Sequence, residues 1–123
     1  MAFEMVNKDV SIEFINDLDI CIGIIVNLTS NTDHSIVMFD ALLSGKVESL
    51  CFSDLTNKVR LLVYEGIPKV DLKNNITITL SKHHIEVLKD MLLDVSIGGG
   101  FVGYHYDIEL FYDKPLDVCF LLK

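Results

Sequence analysis

The sequence predicts an α+β domain, a mostly antiparallel β-sheet with about two helices packed against it. Apolar residues recur at every second position from Leu18 to Leu28, the period of a half-buried strand. From Ile85 to Val95 they recur at helical spacing instead. The segments between are short β-branched runs divided by Gly, Pro, Asn and Asp. The 123 residues fit one domain, residues 1–123, and half of them are hydrophobic, enough to offset the ordering entropy of folding.

In chain order, Val10 to Ile15 reads as a strand, with disorder expected only in the first few residues and at most one loop. Asn16-Asp17 reads as a tight turn into the strand Leu18 to Leu28. Leu18, Ile20, Ile22, Ile24, Val26 and Leu28 would share its buried face. Asp33 to Leu43 follows helical spacing through Ile36, Phe39, Asp40 and Leu43. Thr32 or Asp33 is its expected cap, and Gly45 its stop. Strands follow at Val47 to Phe52 and Val59 to Glu65, before the Gly66-Ile67-Pro68 break. Asn74-Asn75 turns into the alternating strand Ile76 to Leu80.

Ser81 is a good cap for the second helix, with Ile85, Leu88, Leu92 and Val95 along its buried stripe. Gly98 to Gly100 ends it and reads as a mobile loop. Two closing strands, Tyr104 to Tyr112 and Leu116 to Leu122, pivot at Asp113-Lys114-Pro115. The last is apolar on both faces and is therefore expected to lie inside the sheet. The sequence carries no internal repeat.

Composition narrows the function classes. The net charge is −8, with 18 acidic against 10 basic residues, which opposes binding to nucleic-acid phosphates or to anionic lipid. The excess is uneven: Glu4, Asp9, Glu13, Asp17, Asp19, Asp33 and Asp40 face only Lys8 in the first third. An acidic field speeds encounter with a basic partner. Solubility alone is an equally good account of it. Cys21, Cys51 and Cys119 are odd in number and widely spaced, the pattern of reduced core thiols rather than disulfides. The N-terminus lacks a secretory pattern, and the longest apolar run, Ile20 to Val26, is far below the ~20 residues of a membrane span. The expected location is cytoplasmic.

The most pointed local feature is the strand YHYDIELFY. Tyr104, Tyr106, Ile108, Leu110 and Tyr112 share one face. His105, Asp107 and Glu109 share the other, each about 6.6–7 Å from the next. An imidazole with two carboxylates can bind a transition metal or transfer protons. A solvated sheet face produces the same alternation, and contact with a partner is the stronger reading. His83-His84 point about 100° apart on their helix and form no chelating pair; they read as exposed first-turn residues. The run GGGFVG follows a helix and precedes a strand, the reverse of a phosphate-binding loop. No nucleophile elbow or cysteine-protease signature surrounds any candidate. Neither a catalytic residue, a metal ligand nor a cofactor is assigned.

A small, acidic, β-rich chain with a polar His-x-Asp-x-Glu strand after a glycine loop, GFVGYHYDIEL from Gly100 to Leu110, resembles the bacterial immunity proteins of contact-dependent growth inhibition and other polymorphic toxin systems. The resemblance implies a binder, not an enzyme, acting as a monomer or weak dimer on a cognate protein toxin domain, often a basic nuclease. Asp17, Asp19 and Asp33 of the acidic third, or His105, Asp107 and Glu109, would then be the partner-binding residues, their carboxylates taking the place of substrate phosphates. Two alternatives stand beside it. One is a secretion chaperone for an exported effector, although those are normally dimeric and end in a helix. The other is a small metal-dependent enzyme centred on His105, Asp107 and Glu109.

Overall fold

The computed structural model describes residues 3–72, 76–112 and 114–123. The expected turn residues Asn74-Asn75 and Asp113 lie outside them, as does the side chain of Tyr112. The described residues form nine strands and two helices: β1 (Glu4–Asn7), β2 (Ser11–Asp17), β3 (Ile20–Asn27), α1 (Thr32–Leu43), β4 (Ser49–Ser53), β5 (Lys58–Val63), β6 (Lys69–Asp71), β7 (Ile76–Leu80), α2 (Lys82–Ser96), β8 (His105–Tyr112) and β9 (Lys114–Leu121). This is the α+β class with two helices that the sequence predicts. The strands make one sheet in the order β1-β4-β5-β7-β6-β8-β9-β3-β2. It is mixed rather than purely antiparallel: β1·β4, β3·β9, β5·β7 and β6·β8 pair in parallel, and the other four neighbours antiparallel.

The order of elements repeats, although the sequence does not. A hairpin, a helix and a second hairpin (β2–β3, α1, β4–β5) are followed by the same set (β6–β7, α2, β8–β9). The last strand of each unit pairs in parallel with the second strand of the other, β5 with β7 and β9 with β3. The pairing β6·β8 has no counterpart between β2 and β4, because β1 occupies that edge of β4.

The sheet also curls. Seven strand spacings separate β4 from β2, roughly 34 Å if the sheet were flat. Yet the Ile12 N–H donates to the Asp54 carboxylate, just past the end of β4, at 2.9 Å. Asn57 Nδ2 donates to the Ile12 carbonyl at 3.4 Å, so two side chains stand in for a neighbouring strand at the start of edge strand β2.

The concave face and the helices share one core. Ile24, Val26, Leu50, Phe52, Leu61, Ile78, Leu110, Val118 and Phe120 meet Met38, Phe39 and Leu42 of α1 and Ile85, Leu88 and Leu92 of α2. The α2 stripe is the predicted one. In α1 the buried residues are Ser35, Met38, Phe39, Ala41 and Leu42, while Asp40 turns outward to Lys89 of α2 at 2.8 Å. Asn31, not Thr32 or Asp33, caps α1 by accepting from the His34 N–H at 3.2 Å. Gly45, in the left-handed region, stops the helix as predicted. Strand β9 lies inside the sheet, between β8 and β3, also as predicted.

The first hairpin departs from expectation. Its turn is Leu18-Asp19, both with positive φ, rather than Asn16-Asp17. A turn at 16–17 would pair Ile15 with Leu18 and place Ile12 opposite an odd-numbered residue. The core needs Ile12 and Phe14 opposite Val26 and Ile24, and that is the register found. Asp17 pairs with Ile20 at the tip, and the register shifts between Ile15 and Asn16, which leaves Ile22 as an inserted bulge residue. The bulge breaks the alternation, so Leu18, Ile20 and Ile22 are exposed and only Ile24, Val26 and Leu28 reach the core. Two short strands are absent from the sequence reading. β1, expected to be disordered, pairs with β4, and its buried Asn7 donates to Ser35 of α1 at 3.3 Å. β6 has three residues after Pro68.

Candidate functional site

Both helices pack on the concave face, so no helix covers the outer face among the described residues. Alternation sets what stands there. Ile108 and Leu110 point into the core, which turns His105, Asp107 and Glu109 outward as predicted. On β9, Leu116, Val118 and Phe120 are buried, which turns Asp117 and Cys119 outward. Cross-strand register then builds two rows, Asp107–Cys119–Ile25–Glu13 and Glu109–Asp117–Gly23–Ile15. The sequence reading misses Asp117, and it counts Glu13 in the acidic first third without placing it on this face. The inward alternation of Leu116, Val118 and Phe120 was the available signal for Asp117.

One pair of acids on this face has no cation beside it among the described residues. Glu109 and Asp117 stand directly opposite one another on antiparallel strands, an arrangement of like charges that disfavours folding. The ion pairs found among the described residues are Arg60–Glu4, Lys89–Asp40 and His105–Asp107, so neither Glu109 nor Asp117 has a cationic partner there.

His105 is satisfied at both nitrogens. Nδ1 faces the Gly103 carbonyl and Nε2 lies 3.2 Å from Asp107. Both neighbours are acceptors, so only the doubly protonated ring can donate to each. The Gly103 carbonyl and then the Asp107 charge accordingly hold its pKa above the ordinary value. Cys119 lies opposite Asp107, and burial, reinforced by that carboxylate, pushes its thiol up to about 11. Such a thiol is protonated at neutral pH, the opposite of what a nucleophile requires. Among the described residues no group of three or more His, Cys, Asp and Glu is placed to hold a metal ion.

The other candidates are dispersed. Asp17 ends β2 and Asp19 is in the hairpin turn; the parallel register of β3 and β9 puts this tip at the same end of the sheet as the β8–β9 turn. Asp33 is in the first turn of α1, on the helical side, away from the row. His84 turns inward and is half-buried, not exposed, with Nδ1 2.8 Å from the Tyr106 hydroxyl. The two histidines of α2 therefore do not join His105, because residues 105 and 106 point to opposite faces of the sheet. The three cysteines are free thiols, Cys51 buried and the others half-buried. A recess of about 700 Å³ lies at the β4–β5 turn between Lys8, Val10, Ser53, Asp54, Leu55 and Thr56. Both oxygens of its Asp54 are already engaged by Ile12, Thr56 and Asn57.

No protein-family model matches this chain, and no curated protein matches it significantly. No helix among the described residues is long and apolar enough to cross a membrane.

Proposed function

We propose that this protein is a cytoplasmic immunity protein, a monomer or weak dimer, which binds a cognate basic toxin domain stoichiometrically and blocks its active site. The observation that supports this reading is the opposed pair Glu109 and Asp117, with no cationic partner and no covering helix on their sheet face among the described residues. Like charges held across a ladder weaken the free protein. Lysine or arginine from a partner converts that cost into charge-assisted hydrogen bonds. Asp107 stands on the same face beside His105, and Glu13 lies at the far end of its row, beyond Cys119 and Ile25. The protein itself performs no chemistry in this reading and needs no cofactor. The alternatives, a secretion chaperone or a metal-dependent enzyme, gain no such specific support.

The test couples two readouts. The tagged protein is recovered from its host, and the protein accompanying it at one-to-one stoichiometry is expressed with and without it. A basic protein that is toxic alone and harmless in company is expected. Glu109→Lys should then weaken that complex at least tenfold. The same change places a cation opposite Asp117 and should stabilise the free protein by about 0.2–1 kcal/mol. Unchanged binding by Glu109→Lys together with Asp117→Lys would refute the electrostatic interface.

A further inference from the structure

Strand β3 carries one residue more than its ladder with β2 needs. Ile15 pairs with Gly23 and Asn16 with Cys21, so Ile22 is an insertion between two paired positions. On either side of it the alternation is regular. Ile24 lies in the core and Cys21 packs against it, while Ile20 and Gly23 take outward positions. Joining Cys21 directly to Gly23 would preserve each of these pairings. Ile22 therefore adds nothing to the ladder, and it stands 44 % exposed.

Its surroundings on the outer face are apolar as well. Ile20 and Ile15 are 46 % and 42 % exposed, and Phe111 of β8, 51 % exposed, stands directly opposite Pro115 of β9. By alternation Phe111 shares its side of β8 with Glu109, and Pro115 its side of β9 with Asp117. Gly23 sets no side chain between Asp117 and Ile15. A Cβ there would lie 3.4 Å from the Asp117 carbonyl oxygen and 3.5 Å from the Ile15 side chain. Strand pairing thus makes the apolar patch and the opposed acids neighbours on one face. Asp17, opposite Ile20, adds a third carboxylate at the hairpin end. Of the cations, Lys69 of β6 stands beyond Phe111 in its row, and Lys114, opposite Tyr112, alternates to the other side of β9. Single exposed apolar residues are ordinary, but a contiguous patch with a charged rim marks an interaction surface.

We propose that Ile15, Ile20, Ile22 and Phe111 form the apolar centre of the toxin interface, seating an apolar side chain of the partner while an arginine beside it reaches Glu109 and Asp117. This rests on the immunity reading, and the occupant it names is a folded basic protein. Charge selects that occupant. The rim sets three carboxylates against Lys69, and a second copy would bring another chain of net charge −8. Two carboxylates side by side suit the fork of a guanidinium better than the single ammonium of lysine.

The test uses the full chain and the basic protein recovered with it at one-to-one stoichiometry. Ile22→Ser combined with Phe111→Ser removes apolar surface without changing charge. It should weaken the complex at least tenfold and leave the salt dependence of binding unchanged. Deletion of Ile22 should weaken the complex several-fold without lowering the melting temperature; a destabilised deletion variant would show that the bulge serves the fold and not the interface. A photo-crosslinking residue at position 22 should label the basic protein, and the same residue at position 55, on the exposed β4–β5 turn, should not. That labelling reads the patch even where the serine variant fails to fold. Full binding by the serine variant, or labelling from position 55 and none from 22, with Glu109→Lys defective, would overturn the apolar centre and leave the immunity reading intact. Recovery of no toxic partner with the unmodified chain would overturn both.

Discussion

Replacing Asp54 by alanine removes one of the two side chains that tie the edge strand β2 back to the far side of the sheet. Its carboxylate accepts from the backbone N–H groups of Ile12 at 2.9 Å, Thr56 at 2.9 Å and Asn57 at 2.6 Å. Hydrogen bonds to a charged acceptor are each worth about 1.5–3 kcal/mol when buried. Two of these are only half-buried and the Thr56 bond is exposed, and water can replace the carboxylate at the turn, so about 1 kcal/mol each is the better figure, as for helix caps. The sum, about 3 kcal/mol, is a large share of the 5–15 kcal/mol typical of a domain. It corresponds to a fall of roughly 12 °C in Tm at this size. The chain has no tryptophan, so urea unfolding followed by circular dichroism is the suitable assay.

The pH dependence gives an independent check. Burial by itself raises the Asp54 pKa, and the three backbone donors together more than reverse this, leaving it below the ordinary 3.8. A depressed carboxylate contributes stability that is present above its unfolded pKa and lost as the pH falls through the folded value. The gap between wild type and Asp54→Ala should therefore be full at pH 7 and close in acid below 3.8. A loss under about 0.5 kcal/mol at pH 7, or a gap that persists at pH 2, would mean that the Asp54 clamp does not hold the curled sheet together.

Two further outcomes follow from groups on α2 and β9. Burial, then the neighbouring His83, holds the His84 pKa below its ordinary 6.5. Protonation is thus favoured in the unfolded chain, and stability should fall as the pH drops through 6.5; His84→Leu should flatten that limb of the pH–stability curve, and an identical curve would refute the assignment. Cys119, with its thiol at about 11, should react slowly with thiol reagents at pH 8. Asp107→Asn removes the carboxylate that reinforces burial and should speed labelling of Cys119 several-fold by mass spectrometry; an unchanged rate would show that burial alone governs it.

The sequence by itself determined the elements whose signal is local. The α2 stripe of Ile85, Leu88 and Leu92 follows from its own spacing, and so does the outward row His105, Asp107 and Glu109, because alternation in a strand needs no knowledge of its neighbours. The inner place of β9 also followed from the apolar character of both its faces. Only tertiary structure decided what depends on register. The turn at Leu18-Asp19 and the bulge at Ile22 exist because Ile12 must face Val26, a requirement set by the core and invisible in residues 16 to 19. β1 and β6 are too short to carry a periodic signal; β1 is held by β4, far away in the chain, and β6 by its hairpin partner β7 and by β8. The site divides in the same way. Each carboxylate could be placed outward from its own strand, but that Glu109 opposes Asp117 is a fact about the pairing of β8 with β9. Lys123 likewise reaches the carbonyls of Gly99 and Gly100 from a distant part of the chain, a contact that no local pattern announces. Backbone propensity acts over a few residues, whereas pairing and burial join residues that only the closed fold brings together.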